Sequence, residues 1–372
     1  MTRVHDPRAD RWRFLVTTNR GLESIAQDEL SELGATDLST LYPGMIQCSG
    51  QEALISRLHA RGRTVHRLLL EVARSECSTL GEITALIAEL DWPRYLGAEQ
   101  SFAVRAQRRG DQSFGSPDVE SAVGQAIIDN YRSAERTRPP VDLDDPDLVV
   151  RVFVREQRVI VTIDTTGQRS LHRRRYRVAE HEAPIRPTMA AAMARLAECR
   201  PGDRVVDPMC GCGTIPIEVA ATALDWPPEI EPELSFRAFQ FLGAEALALD
   251  QPRRSAEDLS LNIHGFDIDA QAVGDARENA KHAGLGDAIS FETADARVQP
   301  IDADIVLTDM AFGIRTDGDI HSLYREFADR LVDADCRRAV VHTAREDLLG
   351  LEPTRRIEMR RGRLESVLLV IE

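Results

Sequence analysis

Residues 204–220, RVVDPMCGCGTIPIEVA, constrain the fold of this chain more than any other stretch. A short apolar run ends at Asp207-Pro208, a turn carries Gly211 and Gly213, and a helical pattern opens at Thr214. The alternation then continues through strand-like NIHGFDID, helical QAVGDARENAKHAG, strand-like AISFETAD and DIVLTD, helical HSLYREFADRLVD and strand-like RAVVHT. Parallel neighbours need a crossover long enough for a helix, so this pattern predicts a parallel, doubly wound α/β sheet. The helical segment RPTMAAAMARLAE precedes the first strand. At the far end, RRIEMRRGRLESVLLVIE reads as two strands around Gly362, an antiparallel hairpin at one sheet edge.

In such a sheet a ligand lies beyond the carboxyl ends of the strands, and the first strand–helix turn comes closest to it. Gly211 and Gly213 lack a Cβ and permit unusual φ and close approach, while the helix opening near Thr214 offers free N–H groups to an anion. Cys210 and Cys212 supply only two of the four ligands of a structural zinc. The six cysteines are scattered without a CxxC pair, so no metal is expected and the thiols are read as reduced. A dinucleotide fingerprint would place a third glycine where Pro216 stands, which argues against NAD. Asp207 suits an ammonium group, Asp267 at the next strand end suits ribose hydroxyls, and Asp295 after the third suits the exocyclic amine of adenine. A ligand with an amino-acid end, a ribose and an adenine is S-adenosylmethionine. At the fourth strand end stands TDMAFG, residues 308–313. There Asp309 and the Met310 carbonyl would accept the hydrogens of an exocyclic amine nucleophile, and Phe312 would stack on its base.

A chain of 372 residues exceeds one ordinary domain core, so two or three domains are expected. The net charge of −15 argues against a generic polyanion binder, but it is uneven. Residues 1–185 carry 25 basic and 27 acidic side chains, and residues 186–372 carry 21 and 34. Eight arginines against four acids in residues 151–185 form a local basic segment. Upstream, two α/β regions are legible. The first joins RFLVTTNRGLESIAQDELSELGA, MIQCSG, QEALISRLHARG and VHRLLLEVARSE. The second joins LGEITALIAELDW, SFAVRAQRRG, a helix over SPDVESAVGQAIIDNYR and the hairpin LVVRVFVRE–RVIVTIDTTG. Residues 166–186 show no sustained period and read as a surface linker. No apolar stretch reaches membrane-spanning length and the N-terminus has no signal-like apolar region, which suggests the cytoplasm.

VVDPMCGCGTIPIEVA together with TDMAFG, preceded by VDLDDPDLVVRVFVREQRVIVTIDTTGQRSLHRRRYRVAEHEAPIRPTMAAAM, closely resembles the THUMP-domain RNA methyltransferases. The resemblance covers nearly the whole chain. It implies an N-terminal ferredoxin-like domain (1–70), a THUMP RNA-binding domain (71–165), a linker (166–185) and a Rossmann-like class I S-adenosylmethionine-dependent methyltransferase domain (186–372). D-P-M-C-G-x-G-T resembles the branch that forms N2-methylguanine, and GIR…LYREF after TDMAFG is similar to the tRNA enzymes that modify guanine 6 of the acceptor stem. The cofactor set then comprises Asp207, Pro208, Cys210, Gly211, Gly213 and Thr214 in the turn, Asp267 with Ile268, Asp295 with Ala296, and Thr188. The catalytic set is Asp309, Met310 and Phe312. One departure is that Ala311 stands where the family places proline, which should loosen the carbonyls that hold the amine. The family's grip on the 3′ end of the acceptor stem would fall to Arg105, Arg108, Arg109, Arg173, Arg174, Arg175 and Arg177, with Tyr176 as a stacking residue.

The reading is therefore a monomeric tRNA guanine-N2 methyltransferase. The alternatives are N2 methylation at another tRNA position or in ribosomal RNA, an RNA-binding protein with a disabled methyltransferase domain, and methylation of DNA or a small molecule. Whether residues 225–260 pack on the sheet or cover the site is left open by the sequence.

Overall fold

Two sheets organise the chain. The computed structural model describes residues 2–6, 9–135, 137–179, 184–228, 234–248, 255–310, 320–361 and 364–372. The first sheet contains β1 (Arg3–Val4), β2 (Trp12–Thr18), β3 (Thr36–Tyr42), β4 (Met45–Gly50), β5 (Val65–Glu76), β6 (Phe102–Arg109), β7 (Leu148–Arg155) and β8 (Arg158–Asp164). Its order is β3-β4-β2-β5-β8-β7-β6, with β1 pairing to β5. Because β5 is twelve residues long and crosses residue 70, the ferredoxin-like and THUMP-like regions share one continuous sheet.

Alternation along the strands decides what each face meets. Phe14, Val16, Leu70, Val150, Val152 and Val161 join residues of α1 (Glu23–Glu32), α2 (Leu54–Arg61), α3 (Leu80–Ala88), α4 (Trp92–Tyr95) and α5 (Ser116–Glu135) in one core. The opposite face holds only a thin apolar cluster around Leu15, Met45, Leu69, Phe153 and Ile160. The sequence marks the start of α3 unambiguously: Thr79 accepts from the Glu82 N–H at 3.2 Å while the Glu82 carboxylate accepts from the Thr79 N–H at 3.1 Å.

The second sheet contains β9 (Arg204–Asp207), β10 (Asn262–Asp267), β11 (Ile289–Thr293), β12 (Ile305–Asp309), β13 (Arg338–Thr343), β14 (Arg355–Arg361) and β15 (Leu364–Ile371). Its order is β11-β10-β9-β12-β13-β15-β14: the first five run parallel, and the last two form the antiparallel edge hairpin that the sequence suggests. The helices are α6 (Pro187–Ala197), α7 (Thr214–Ala223), α8 (Ala244–Leu247), α9 (Ala270–His282), α10 (Ile320–Asp333) and α11 (Glu346–Leu349). The alanine-rich α6 packs closely on α7 and on β12 and β13, and ten of its eleven residues are buried.

Two segments tie the sheets together, and the first does not behave as the sequence suggests. Residues 166–179 are not a surface linker, because Thr166, Leu171, Arg174 and Tyr176 are buried. The Glu218 carboxylate on α7 accepts from Arg63 Nη1 at 2.8 Å, Arg174 Nε at 3.1 Å and the Tyr176 hydroxyl at 3.1 Å, and Arg174 Nη2 donates to the Arg63 carbonyl at 2.9 Å. One buried cluster thereby joins the first sheet's domain, the connecting segment and the second sheet's domain. Asn279 on α9 extends the seam: its Oδ1 accepts from the Val178 and Ala179 N–H groups, and its Nδ2 donates to the Ala179 and Cys212 carbonyls. Residues 234–248, whose packing the sequence leaves open, lie against the first sheet's domain. Leu234, Phe236, Phe239, Leu242 and Ala246 enter the core of the N-terminal domain, where the Phe236 ring lies 4.8 Å from that of His59.

Candidate active site and nucleic-acid interface

Sheet order fixes the relation among the four aspartates singled out in the sequence. Asp295 follows β11, Asp267 ends β10, Asp207 ends β9 and Asp309 ends β12, and these strands are successive neighbours. The carboxyl ends of four parallel strands thus present four acids along one edge, where an open α/β sheet binds its ligand.

The glycine turn divides its labour. Gly211 (φ +51°) has nothing within 4 Å of where a Cβ would stand, so its backbone is open to a ligand. Gly213 (φ +80°) serves packing instead, since a Cβ there would meet the Ala276 Cβ at 2.9 Å and Phe291 Cζ at 3.1 Å. The two glycines of the expected cofactor turn thus differ: packing excludes a side chain at Gly213, while the space beside Gly211 is open. The Gly211 N–H donates to Asp267 Oδ2 at 2.9 Å, and Asp267 Oδ1 accepts from the Asp269 N–H at 3.0 Å. Asp267 therefore stabilises the turn and the start of α9 together. Beside it Ile268 is 64% exposed, an uncovered apolar surface suited to a purine face. Pro208 and Ala296 are buried under the turns they occupy.

Asp207 is buried. Its Oδ1 accepts from the Met209 N–H at 3.2 Å, while Oδ2 has no hydrogen-bond partner among the described residues. Burial pushes this carboxyl well above the usual carboxylate range. The charges of Asp267 and Asp309 add to the shift, and the Met209 N–H and the nearby Thr308 hydroxyl, itself lacking a well-formed hydrogen bond, oppose it. A buried, half-satisfied carboxyl between two acids is relieved by a cation, which is what an ammonium group supplies. Burial also raises the Cys210 thiol well above its ordinary value, so it fills space rather than acting as a thiolate.

Two cofactor expectations change in detail. The Thr188 hydroxyl is engaged from the first sheet's domain, by Asn19 Nδ2 at 3.1 Å and His66 Nε2 at 3.0 Å, so it belongs to the seam between the domains. Asp295 is held by Arg297 Nε at 2.9 Å and Nη2 at 2.5 Å, a pairing that keeps its carboxyl below the usual range and occupies both oxygens. An adenine amine would have to share that carboxylate with the guanidinium.

At the end of β12, Asp309 Oδ1 lies 2.6 Å from His342 Nδ1, and His342 Nε2 lies 2.9 Å from Ser366 Oγ. The Met310 N–H donates to the His342 carbonyl at 3.0 Å. His342 and Ser366 are absent from the sequence-derived set. Their only signal is position, since His342 sits near the end of the next strand, in register with Asp309. Phe312 and Ala311 lie outside the described residues.

The expected RNA contacts separate into three groups. Arg174 and Tyr176 are removed, because both are buried against Glu218 and the Tyr176 hydroxyl is driven well above its ordinary pKa by burial. Arg108 folds onto its own turn, donating to Gln112 Oε1 at 3.0 Å, and Arg177 is half-buried and engaged. Arg109, Arg173 and Arg175 are exposed, and Arg105 is half-buried.

The larger basic feature is the face of the first sheet that carries no helix among the described residues. Register places Arg105 beside Arg151, Arg109 beside Arg155, and Arg155 opposite Arg158, on the side that carries Phe153 and Ile160. Arg67 lies on that face as well, opposite Thr17 and two residues from Leu69. Of these arginines, Arg109 and Arg158 are exposed, and Arg67, Arg105, Arg151 and Arg155 are half-buried. Asp164 offsets part of the charge, through Arg67 Nη1 and Arg151 Nε at 2.7 Å each, and the Arg155 guanidinium stacks 3.7 Å from the Tyr42 ring centroid.

Residues 174–368 match the RMKL-like methyltransferase domain, 77–164 the THUMP domain and 13–69 the RlmL ferredoxin-like domain. The chain is 31% identical, over 96% of its own length and 91% of the relative's, to a tRNA (guanine(6)-N2)-methyltransferase of Archaeoglobus fulgidus. It is 32% identical to the protein of the same name from Methanocaldococcus jannaschii, over 84% and 85% of the two chains. The crystal structure of TrmN from Thermus thermophilus superposes with a TM-score of 0.73 at 29% identity, covering 97% of this chain and 99% of that one.

Proposed function

Since this chain belongs to the RMKL-like methyltransferase family and carries a THUMP domain, we propose that it methylates the N2 amine of a guanine in tRNA, guanine 6 of the acceptor stem, using S-adenosylmethionine. The observation that carries this reading is the row of acids at the ends of β10, β9 and β12 around the open backbone of Gly211. The bound cofactor supplies an electrophilic methyl group on a sulfonium. Asp207, with its unpartnered buried oxygen, holds the ammonium end, Asp267 the ribose and Ile268 one face of the adenine.

Asp309 has one oxygen engaged by His342, and among the described residues its other oxygen has no hydrogen-bond partner. That oxygen accepts one N–H of the guanine amine and the Met310 carbonyl accepts the other, which turns the nitrogen lone pair toward the methyl group. Positioning of this kind supplies most of the rate, and the carboxylate takes the proton that the amine gives up.

The arginine face of the first sheet and the exposed Arg173 and Arg175 hold the tRNA backbone. The acidic catalytic half contributes little to that grip. In this reading the enzyme works as a monomer in the cytoplasm. No described helix is long and apolar enough to cross a membrane.

The deciding experiment incubates the protein with labelled S-adenosylmethionine and unmodified tRNA, digests the product and maps the labelled nucleoside. N2-methylguanosine at position 6 is the expected result. Label in ribosomal RNA but not in tRNA would replace the substrate, and cofactor binding without transfer to either RNA would replace the activity.

A further inference from the structure

The amine-binding carboxylate is not left to rotate freely, and what holds it lies on two other strands. β13 runs parallel to β12 and brings His342 into register with Asp309. β15 runs antiparallel to β13 on its far side and brings Ser366 behind the imidazole. His342 and Ser366 are both buried, at 2% and 5% exposure.

An ionised carboxylate only accepts hydrogen bonds, so His342 Nδ1 carries the hydrogen in the 2.6 Å contact with Asp309. In the neutral ring Nε2 is then the acceptor, and the Ser366 hydroxyl donates to it at 2.9 Å. Asp309 thereby fixes the tautomer, and the Ser366 hydroxyl, which complements it at Nε2, holds the ring in place from behind, as an orienting partner does for a functional histidine elsewhere. The same histidine also holds the next position of the motif, because its carbonyl receives the Met310 N–H at 3.0 Å. Both proposed amine acceptors, the Asp309 side chain and the Met310 backbone, are thus tied to His342.

We infer that His342, oriented by Ser366, is a positioning residue for methyl transfer: it occupies one oxygen of Asp309 and so presents the other to the substrate amine. This inference rests on the reading of Asp309 given above. In the step it serves, the amine nitrogen forms its bond to the methyl carbon as the sulfur–methyl bond breaks. The bonding pair stays on sulfur, which becomes a thioether, and the surplus amine proton passes to the unoccupied Asp309 oxygen. His342 keeps its own proton throughout.

Single-turnover methylation of unmodified tRNA, with the affinities for S-adenosylmethionine and tRNA measured separately, tests the inference through two side-chain amides. In His342→Asn the amide nitrogen falls at the place of Nδ1 and can still donate to Asp309. In His342→Gln it falls nearer Nε2 and cannot. The Gln variant should transfer methyl about 10- to 100-fold more slowly with both affinities within about threefold, and the Asn variant should recover at least about tenfold of that loss. Equal rates for the two variants, or a fully active Gln variant, would overturn the inference, since a packing role does not distinguish the two ends of the ring. If neither variant binds cofactor, Ser366→Ala carries the test: a loss of about three- to tenfold in transfer at unchanged affinities supports it, and an undiminished rate overturns it. Asp309→Asn is run in parallel. An inactive Asp309→Asn beside a fully active His342→Gln overturns this inference alone, whereas a fully active Asp309→Asn overturns the reading of the site as well.

Discussion

Asp207 shows how a single residue can be placed against its own stability. Its native carboxyl titrates above an unfolded aspartate, so the folded chain holds a proton that the unfolded chain has released. Stability from this group is therefore lost as pH rises from about 4, the unfolded value, toward the raised native one. Asp207→Asn keeps the shape and removes the charge. At neutral pH it should stabilise the free protein by about 1–3 kcal/mol, while the affinity for S-adenosylmethionine falls. Urea unfolding of both proteins at pH 4 and pH 7 checks the sign, because the advantage of the variant should grow with pH. The sequence suggests Asp207 as a binding residue from its place before the glycines. That its second oxygen lacks a partner depends on Thr308 and on the neighbouring strand ends, which local pattern does not describe.

At the scale of elements, the β9–turn–α7 unit separates two kinds of glycine that look alike in sequence. Gly213→Ala meets Ala276 and Phe291 as well as an unfavourable φ, and should cost about 2–4 kcal/mol. Gly211→Ala meets only the φ penalty, about 1–2 kcal/mol, but places a methyl group in the open space that the proposed cofactor would use. Chemical denaturation ranks the two, and cofactor titration should show the larger functional loss per unit of lost stability at Gly211. The elements themselves are legible because each is set by local periodicity: α5 over Ser116–Glu135, the β7–β8 hairpin, and the alternation from β9 to β13. The arginine face is written in the same alternation, as odd-numbered residues of β6 and β7. It becomes one surface only when the register aligns four strands. Replacing Arg109, Arg155 and Arg158 together with alanine should weaken tRNA binding and flatten its salt dependence, by roughly 0.7–0.9 in log–log slope for every phosphate no longer neutralised. Binding isotherms at several salt concentrations measure the slope, and an unchanged slope would take this face off the RNA.

For the whole molecule, the relation between the RNA-binding and catalytic sheets rests on contacts between residues far apart in the chain. Glu218 lies on α7, the helix that opens at the cofactor turn, and it accepts from Arg63 and Arg174 in a cluster where burial disfavours the charge of Arg63. Glu218→Ala leaves two guanidinium groups buried without their carboxylate and should cost about 3–5 kcal/mol, read as a lowered unfolding midpoint. Rigid attachment of this kind suits an enzyme that finds its base by distance from the RNA grip. The seam is also where sequence reading fails most. Arg174 and Tyr176 lie in a basic stretch without periodicity and read as RNA contacts, yet they are the seam's interior. Residues 234–248 follow the first strand–helix unit of the catalytic domain but pack with Trp12 and His59 of the N-terminal domain.

Local pattern alone was enough for the strand–helix alternation, the glycine turn, the four aspartates and the motif at the end of β12, because each is carried by neighbours within one turn or one strand. It could not say which arginines meet solvent, which glycine is closed off by packing, or that His342 and Ser366 stand behind Asp309. Those were settled when separate strands and domains came together, since burial, hydrogen-bond partners and charge environment are properties of neighbours in space, here up to 331 residues apart in the chain.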